Sequence, residues 1–180
     1  MPDKTELHLI EAVIGGDIES FGELARRYYA AMTAIAYSVL ADHQLAEDAA
    51  QESFARALVN LKNLKSKSRF APWLAAICRN VARDMLAAKA RQIPARRDDF
   101  SQAAQNRNHN ENSRLIRTAI EQLPVSTKEL IVLRYYNGLF YEKIGSVLGI
   151  SKATINGRLT RAKRKMKKYL KRNGFPENQL

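Results

Sequence analysis

The chain has a single cysteine, Cys78, and only 8 glycines and 5 prolines in 180 residues. One cysteine excludes an internal disulfide framework and a cysteine-rich zinc module. Glycine plus proline is about 7% of the chain, well under the roughly 12% of average proteins, and so few breakers favour helix throughout. No apolar stretch approaches the roughly 18 residues of a membrane-spanning helix, so no membrane insertion is expected. The opening MPDKTELHLIEAVIGGD lacks the basic start and apolar run of a signal peptide, and a cytoplasmic chain is expected. His8, His43 and His109 are scattered, and no glycine-rich phosphate loop or metal-spaced cluster stands in the sequence. The expectation is a non-enzyme with no catalytic residue, no metal and no cofactor.

Acidic residues are scarce in one part of the chain only. The formal net charge is +12, from 30 Lys plus Arg and 18 Asp plus Glu. Residues 1–60 hold 4 basic and 10 acidic side chains, whereas residues 61–180 hold 26 basic and 8 acidic. Residues 152–172 carry ten bases and no acid. This polarity suggests a polyanion for the basic part and a different partner for the acidic one.

What is present is helical periodicity. Leu7, Ile10 and Ile14 mark a first helix, closed by Gly15-Gly16, with Asp17 as N-cap of the next. That second helix, 18–40, carries Phe21, Leu24, Tyr28, Met32, Ile35 and Val39 at steps of three or four. A third is expected over 45–61, then a basic polar loop over 62–69. A fourth runs to 91, with Pro72 in its first turn. Residues 92–113 lack apolar periodicity and read as a flexible linker. Beyond it, a helix through Leu123 stops at Pro124, and Ser126 with Glu129 offers a capping box for the next. Two more helices follow, over 141–148 and from Ser151 to 172. The fold class is all-α: two small helical domains, 1–91 and 114–172, with a tail at 173–180.

Three groups of residues carry function. Tyr141 to Ala162 has the helix-turn-helix pattern, with Gly149 able to take the positive φ of a tight reversal. Gly145 stands where a larger side chain would clash, and Ile155, Leu159 and Ala162 repeat at i, i+4, i+7. Opposite that stripe lie Lys152, Asn156, Arg158, Thr160, Arg161, Lys163 and Arg164. Such a helix enters the major groove, where Arg reads guanine and Asn reads adenine bidentately. The second group is Lys62, Lys65, Lys67, Arg69, Phe70, Trp73, Arg79, Asn80, Arg83 and Lys89. Bases interleaved with aromatics and an amide suit single-stranded or melted DNA. The third is a polar, acidic helix face, Glu47, Asp48, Gln51, Glu52 and Arg56, which suits a protein partner.

In order and spacing these residues resemble the extracytoplasmic-function (ECF) sigma factors of the sigma-70 family, over nearly the whole chain. The resemblance rests on Gly16-Asp17 with Phe21, Leu24 and Tyr28, and on the run Glu47 to Phe54. It continues through Phe70, Trp73-Leu74, Ile77 to Asn80 and Asp84, then Leu123-Pro124, Leu133-Arg134, Tyr141 to Gly145 and Thr154 to Ala162. It implies that 1–91 is sigma domain 2, binding core RNA polymerase at its β′ clamp helices through Asp48, Gln51, Glu52 and Arg56. The loop Lys62 to Arg69 and the helix with Asn80 would hold the melted, single-stranded −10 element. Residues 114–172 would be sigma domain 4, contacting the β flap and reading the duplex −35 element, with Thr154 and Gly157 added to the recognition set. An anti-sigma factor is a further implied partner. Asn156-Gly157 and Leu64-Ser66 depart from the family pattern, so the −35 and −10 preferences are expected to differ from familiar ones. The competing reading is an autonomous helix-turn-helix regulator with an N-terminal helical interaction domain.

Overall fold

The computed structural model describes residues 5–92 and 111–176. Eight α-helices are present among the described residues, and no strand. The expected linker lies largely outside the described residues; its last three positions, 111–113, already belong to α5.

The first unit is α1 (Glu6–Ile14), α2 (Ile18–Leu40), α3 (His43–Asn60) and α4 (Phe70–Gln92). Each of the first three starts where a side chain takes an otherwise unpaired amide of the first turn. Thr5 accepts from the His8 amide, Asp17 from those of Glu19 and Ser20, and Asp42 from that of Leu45. The Leu45 amide, followed by Lys89, holds the Asp42 carboxyl below its ordinary pKa despite partial burial. The buried stripe of α2 contains the expected Phe21, Leu24, Tyr28, Met32 and Ile35. On α1 the inward face is Leu9, Ile10 and Val13, while Leu7 points outward at 51% exposure.

α3 buries Ala46, Ala49, Ala50, Ser53 and Ala57, side chains so small that α2 and α4 come in close. Ser53 meets its polar requirement by donating back to the Ala49 carbonyl. The core is completed by Leu61, Phe70, Leu74 and Val81, with Cys78 donating to the Met32 carbonyl at 3.2 Å. Burying each large aliphatic side chain stabilises the fold by about 1.5–3 kcal/mol. Between α3 and α4 the chain makes two short 3-10 turns, Leu61–Asn63 and Lys67–Arg69, rather than an open loop.

The second unit is α5 (Glu111–Glu121), α6 (Val125–Ile131), a wide π-type turn Val132–Tyr136, α7 (Tyr141–Leu148) and α8 (Lys152–Arg172). Gly149 ends α7 at φ 68° and turns the chain into α8. A Cβ on Gly145 would lie 2.9 Å from the Ile150 carbonyl oxygen, which is why the turn closes only over glycine. Phe175, in the expected tail, is buried with Ala119 and Leu170 where α5 lies on α8.

The capping box does not form. α6 follows Pro124, which gives it no side-chain cap, Ser126 is exposed, and Glu129 is turned inward. Glu129 instead meets a residue fifty positions earlier: Arg79 Nε donates to its Oε1 at 2.6 Å. Around that pair the two units pack directly. Lys143 Nζ sits 4.3 Å from the Tyr28 ring centroid, and Asn137 Nδ2 donates to the Ala30 carbonyl at 3.3 Å. A Cβ on Gly149 would lie 3.3 Å from Pro72. One apolar core therefore runs from α1–α4 into α6, α7 and α8.

Candidate nucleic-acid interface

α8 is the most basic helix among the described residues. Its start is fixed by Ser151, whose Oγ accepts from the Thr154 amide at 3.1 Å and meets the Thr154 hydroxyl at 2.9 Å. Thr154 is thus engaged in the cap. Ile155, Leu159, Ala162 and Leu170 face inward. That leaves Lys152, Asn156, Thr160, Arg161, Lys163 and Arg164 exposed, with Gly157 and Arg158 half-exposed. The N-terminal end, with amides pointing out and no acid on the helix, favours a phosphate.

Lys152 donates to Glu142 of α7 at 2.9 Å, both side chains being about 70% exposed. The contact raises the Lys152 pKa and lowers that of Glu142. Such an exposed pair is worth little and exchanges readily for a phosphate. A Cβ on Gly157 would lie 4.0 Å from the Arg161 guanidinium.

On the first unit, Lys62 and Arg69 are exposed in the two short turns and Lys65 between them. Lys67 is tied to Glu11 of α1 at 3.0 Å, so α1 anchors the turn. Beside the turns lies a groove of about 310 Å³ lined by Arg56, Asn60, Asn63, Trp73, Ile77 and Asn80. An indole wall with three asparagine side chains offers a stacking surface and amide hydrogen bonds, what an unpaired base needs. Asn60 and Asn63 are absent from the sequence-derived set; only the fold brings their amides opposite Trp73 and Asn80. Arg83 and Asn80 are exposed on α4.

Two members of that set are placed otherwise. Phe70 is fully buried, edge-on to Tyr28 at 5.8 Å and tilted on Trp73 at 6.0 Å, so no face of it is open to a base. Its contribution is to hold Trp73 at the groove. Arg79 is mostly covered, its guanidinium held by Glu129.

Asp48 and Gln51 are exposed on the outer face of α3. Glu52 and Arg56 pair at 2.7 Å, and Arg56 also approaches Asp84 at 3.8 Å. The face is therefore acidic towards its N-terminal end and internally neutralised where it meets the groove. A second, apolar groove of about 300 Å³ lies on the other unit between Ile116, Ile131, Tyr135, Tyr136 and Met166. Among the described residues no group of His, Cys, Asp or Glu could hold a metal, and no helix is long and apolar enough to cross a membrane. Burial pushes the Cys78 thiol up to about 11, which suits packing rather than reaction.

The chain matches the family model for sigma-70 region 2 over residues 24–92 and that for sigma-70, region 4 over residues 113–166. It is 30% identical over 166 residues to the probable RNA polymerase sigma factor RfaY of Xanthomonas campestris, covering 87% of this chain and 42% of that one. It therefore spans less than half of that relative. The ECF RNA polymerase sigma factor SigW of Bacillus subtilis is 27% identical over 177 residues, 90% of this chain and 95% of the relative. Among solved structures, CnrH in complex with the cytosolic domain of CnrY superposes with a TM-score of 0.61 at 24% identity, covering 94% of this chain and 99% of that one. The sigma factor RpoE in complex with the anti-sigma factor NepR from Bartonella quintana gives a TM-score of 0.53 at 22% identity, covering 85% and 98%. These two likenesses concern the fold.

Proposed function

Because the chain belongs to the sigma-70 family, as a sigma factor of the extracytoplasmic-function type, we propose that its two basic surfaces divide promoter recognition between them. It is an alternative sigma factor that directs transcription initiation, with RNA polymerase and promoter DNA as its partners. In our reading, α8 lies in the major groove of the −35 element. Arg158, Arg161 and Asn156 address base edges, and Lys152, Lys163 and Arg164 address phosphates. The groove beside Trp73, with Asn60, Asn63 and Asn80, takes an unpaired base of the −10 element. Lys62, Lys65, Arg69 and Arg83 neutralise the strand that carries it. Asp48, Gln51 and Glu52 on α3 meet the polymerase clamp.

The chain does no bond-making in this scheme. It supplies affinity for the promoter and for the separated strand, and the polymerase does the chemistry in the cytoplasm. An anti-sigma factor is its natural antagonist, with the apolar groove by Tyr135 and Tyr136 as the seat of its helix on region 4.

The observation that carries this reading is the pairing, on one chain, of a capped basic recognition helix with an indole-and-amide groove on a separate unit. A duplex-only regulator has no use for the second. The direct test is size-exclusion chromatography with core RNA polymerase. The expected result is a stoichiometric complex, weakened by Asp48→Arg or Gln51→Arg, whereas wild-type chain eluting apart from core defeats the proposal.

A further inference from the structure

Beyond Arg164, α8 carries charge that the −35 reading does not use. Seven of the ten residues from Lys163 to Arg172 are basic, and none is acidic. Lys165 is engaged within the fold, its Nζ donating to the Gln122 carbonyl at 2.9 Å. In the last turn, Lys171 and Arg172 offset the negative end of the helix dipole. Lys167 and Lys168 have no such use, and both are exposed.

Their spacing works against the helix. Like charges four residues apart repel. Five such pairs stand here: Arg161 with Lys165, Lys163 with Lys167, Arg164 with Lys168, Lys167 with Lys171, and Lys168 with Arg172. Elsewhere this chain relieves its bases with an acid on the same helix. Glu23 holds Arg26 at 2.7 Å and Arg27 at 3.0 Å, and Glu52 holds Arg56 at 2.7 Å. α8 contains no acid, so its repulsion is relieved only from outside, by a polyanion. Arg161, Arg164, Lys168 and Arg172 follow one another at steps of three or four, which makes one stripe in line with Arg161. α8 has 21 residues and is about 31 Å long. With its first turns in a major groove about 12 Å wide, the last ~15 Å of the helix extends past the edge of that groove, over the sugar-phosphate backbone.

We propose that the second half of α8 is a sequence-independent clamp on the backbone of duplex DNA beside the −35 block, with Lys167 and Lys168 as phosphate ligands continuing from Arg164. The inference rests on the sigma-factor reading for the identity of the neighbouring block. Duplex is favoured over a single strand because the stripe is rigid and offers no ring for base stacking. The one aromatic on this half, Tyr169, packs against the cluster of Ala119, Leu170 and Phe175. Phosphate contacts release counterions, so this share of the affinity depends on salt and not on sequence. The clamp therefore supports binding at −35 blocks that match poorly.

The test compares the full wild-type chain with the double variant Lys167→Glu, Lys168→Glu, in which four of the five like-charge pairs become opposite-charge pairs. Free of DNA, the variant is expected to melt at a higher temperature than wild type, so a loss of binding is not a folding defect. Binding is followed by fluorescence anisotropy across a salt series. The probe is a duplex of about 30 base pairs, roughly 100 Å long, carrying the −35 block enriched from a randomised promoter library. The variant is expected to bind more weakly, with the slope of log K against log salt reduced by about 2 and the ranking of −35 sequences unchanged. The pair Lys167→Gln, Lys168→Gln, which removes charge without adding any, is expected to reduce the slope by a similar amount. Hydroxyl-radical cleavage is expected to show sugars protected beside the block with wild type and open with either variant. An unchanged slope, or no binding of duplex by the wild-type chain, overturns the proposal. So does a lower melting temperature in the Glu variant, or a changed ranking of −35 sequences, which assigns these lysines to bases. Tighter binding of a single-stranded RNA of the same length, lost in the same variants, assigns the surface to RNA and overturns it too. If no −35 block is enriched, the sigma reading fails, and the slope on a mixed-sequence duplex of the same length still decides the clamp.

Discussion

At Gly157 α8 carries no side chain, and a Cβ there would lie 4.0 Å from the Arg161 guanidinium. Glycine inside a helix costs about 1 kcal/mol relative to alanine. Gly157→Ala, whose Cβ would meet Arg161 at an ordinary 4.0 Å, should therefore raise the melting temperature by an amount equivalent to up to about 1 kcal/mol. The same variant should alter the −35 preference, because it changes the surface Arg161 lies on. Calorimetry and a −35 competition series read the two effects separately. Arg161→Ala should weaken −35-dependent initiation by about 1–3 kcal/mol and flatten the preference at one position. An unchanged preference across −35 variants removes it from base contact. Asn80→Ala, at the groove beside Trp73, should impair promoter opening, read by permanganate footprinting, while core affinity stays within twofold. Equal loss of both points to misfolding of α4.

At the scale of elements, what was legible in the sequence was local. Asp17, Ser151 and Gly149 act within four residues of themselves, and each does in the structure what its position announces. The bounds of α2, α7 and α8 follow from those signals. Glu129 shows where that logic stops. Three residues after Ser126 it has the spacing of a capping box, yet its partner is Arg79 on another helix, and no local pattern contains that pairing. Phe70 fails for the same reason: an aromatic beside basic residues reads as a stacking surface until Tyr28 closes over it. The groove residues Asn60 and Asn63 were missed because the amides gain meaning only once Trp73 and Asn80 of α4 stand opposite. At this scale Ser151→Ala should cost about 1 kcal/mol of stability by leaving the Thr154 amide unpaired. Chemical denaturation checks it, and no change in midpoint would show that the cap is idle.

At the scale of the molecule, the charge contrast first seen as scarcity of acids acquires a shape. The acidic part becomes α1–α3, whose Glu11 and Asp42 hold Lys67 and Lys89 of the basic part and whose outer face carries Asp48 and Gln51. The basic part becomes two separate surfaces, one with an indole groove and one on a capped helix. A continuous apolar core joins the units that carry them. The most direct test of the central claim is run-off transcription by core RNA polymerase on a randomised promoter library, with and without this chain. Its addition should yield transcripts enriched for two sequence blocks spaced as −35 and −10 elements, with Arg161→Ala relaxing only the first. No enrichment over core alone, or a single block insensitive to changes at Asn80, would contradict the account.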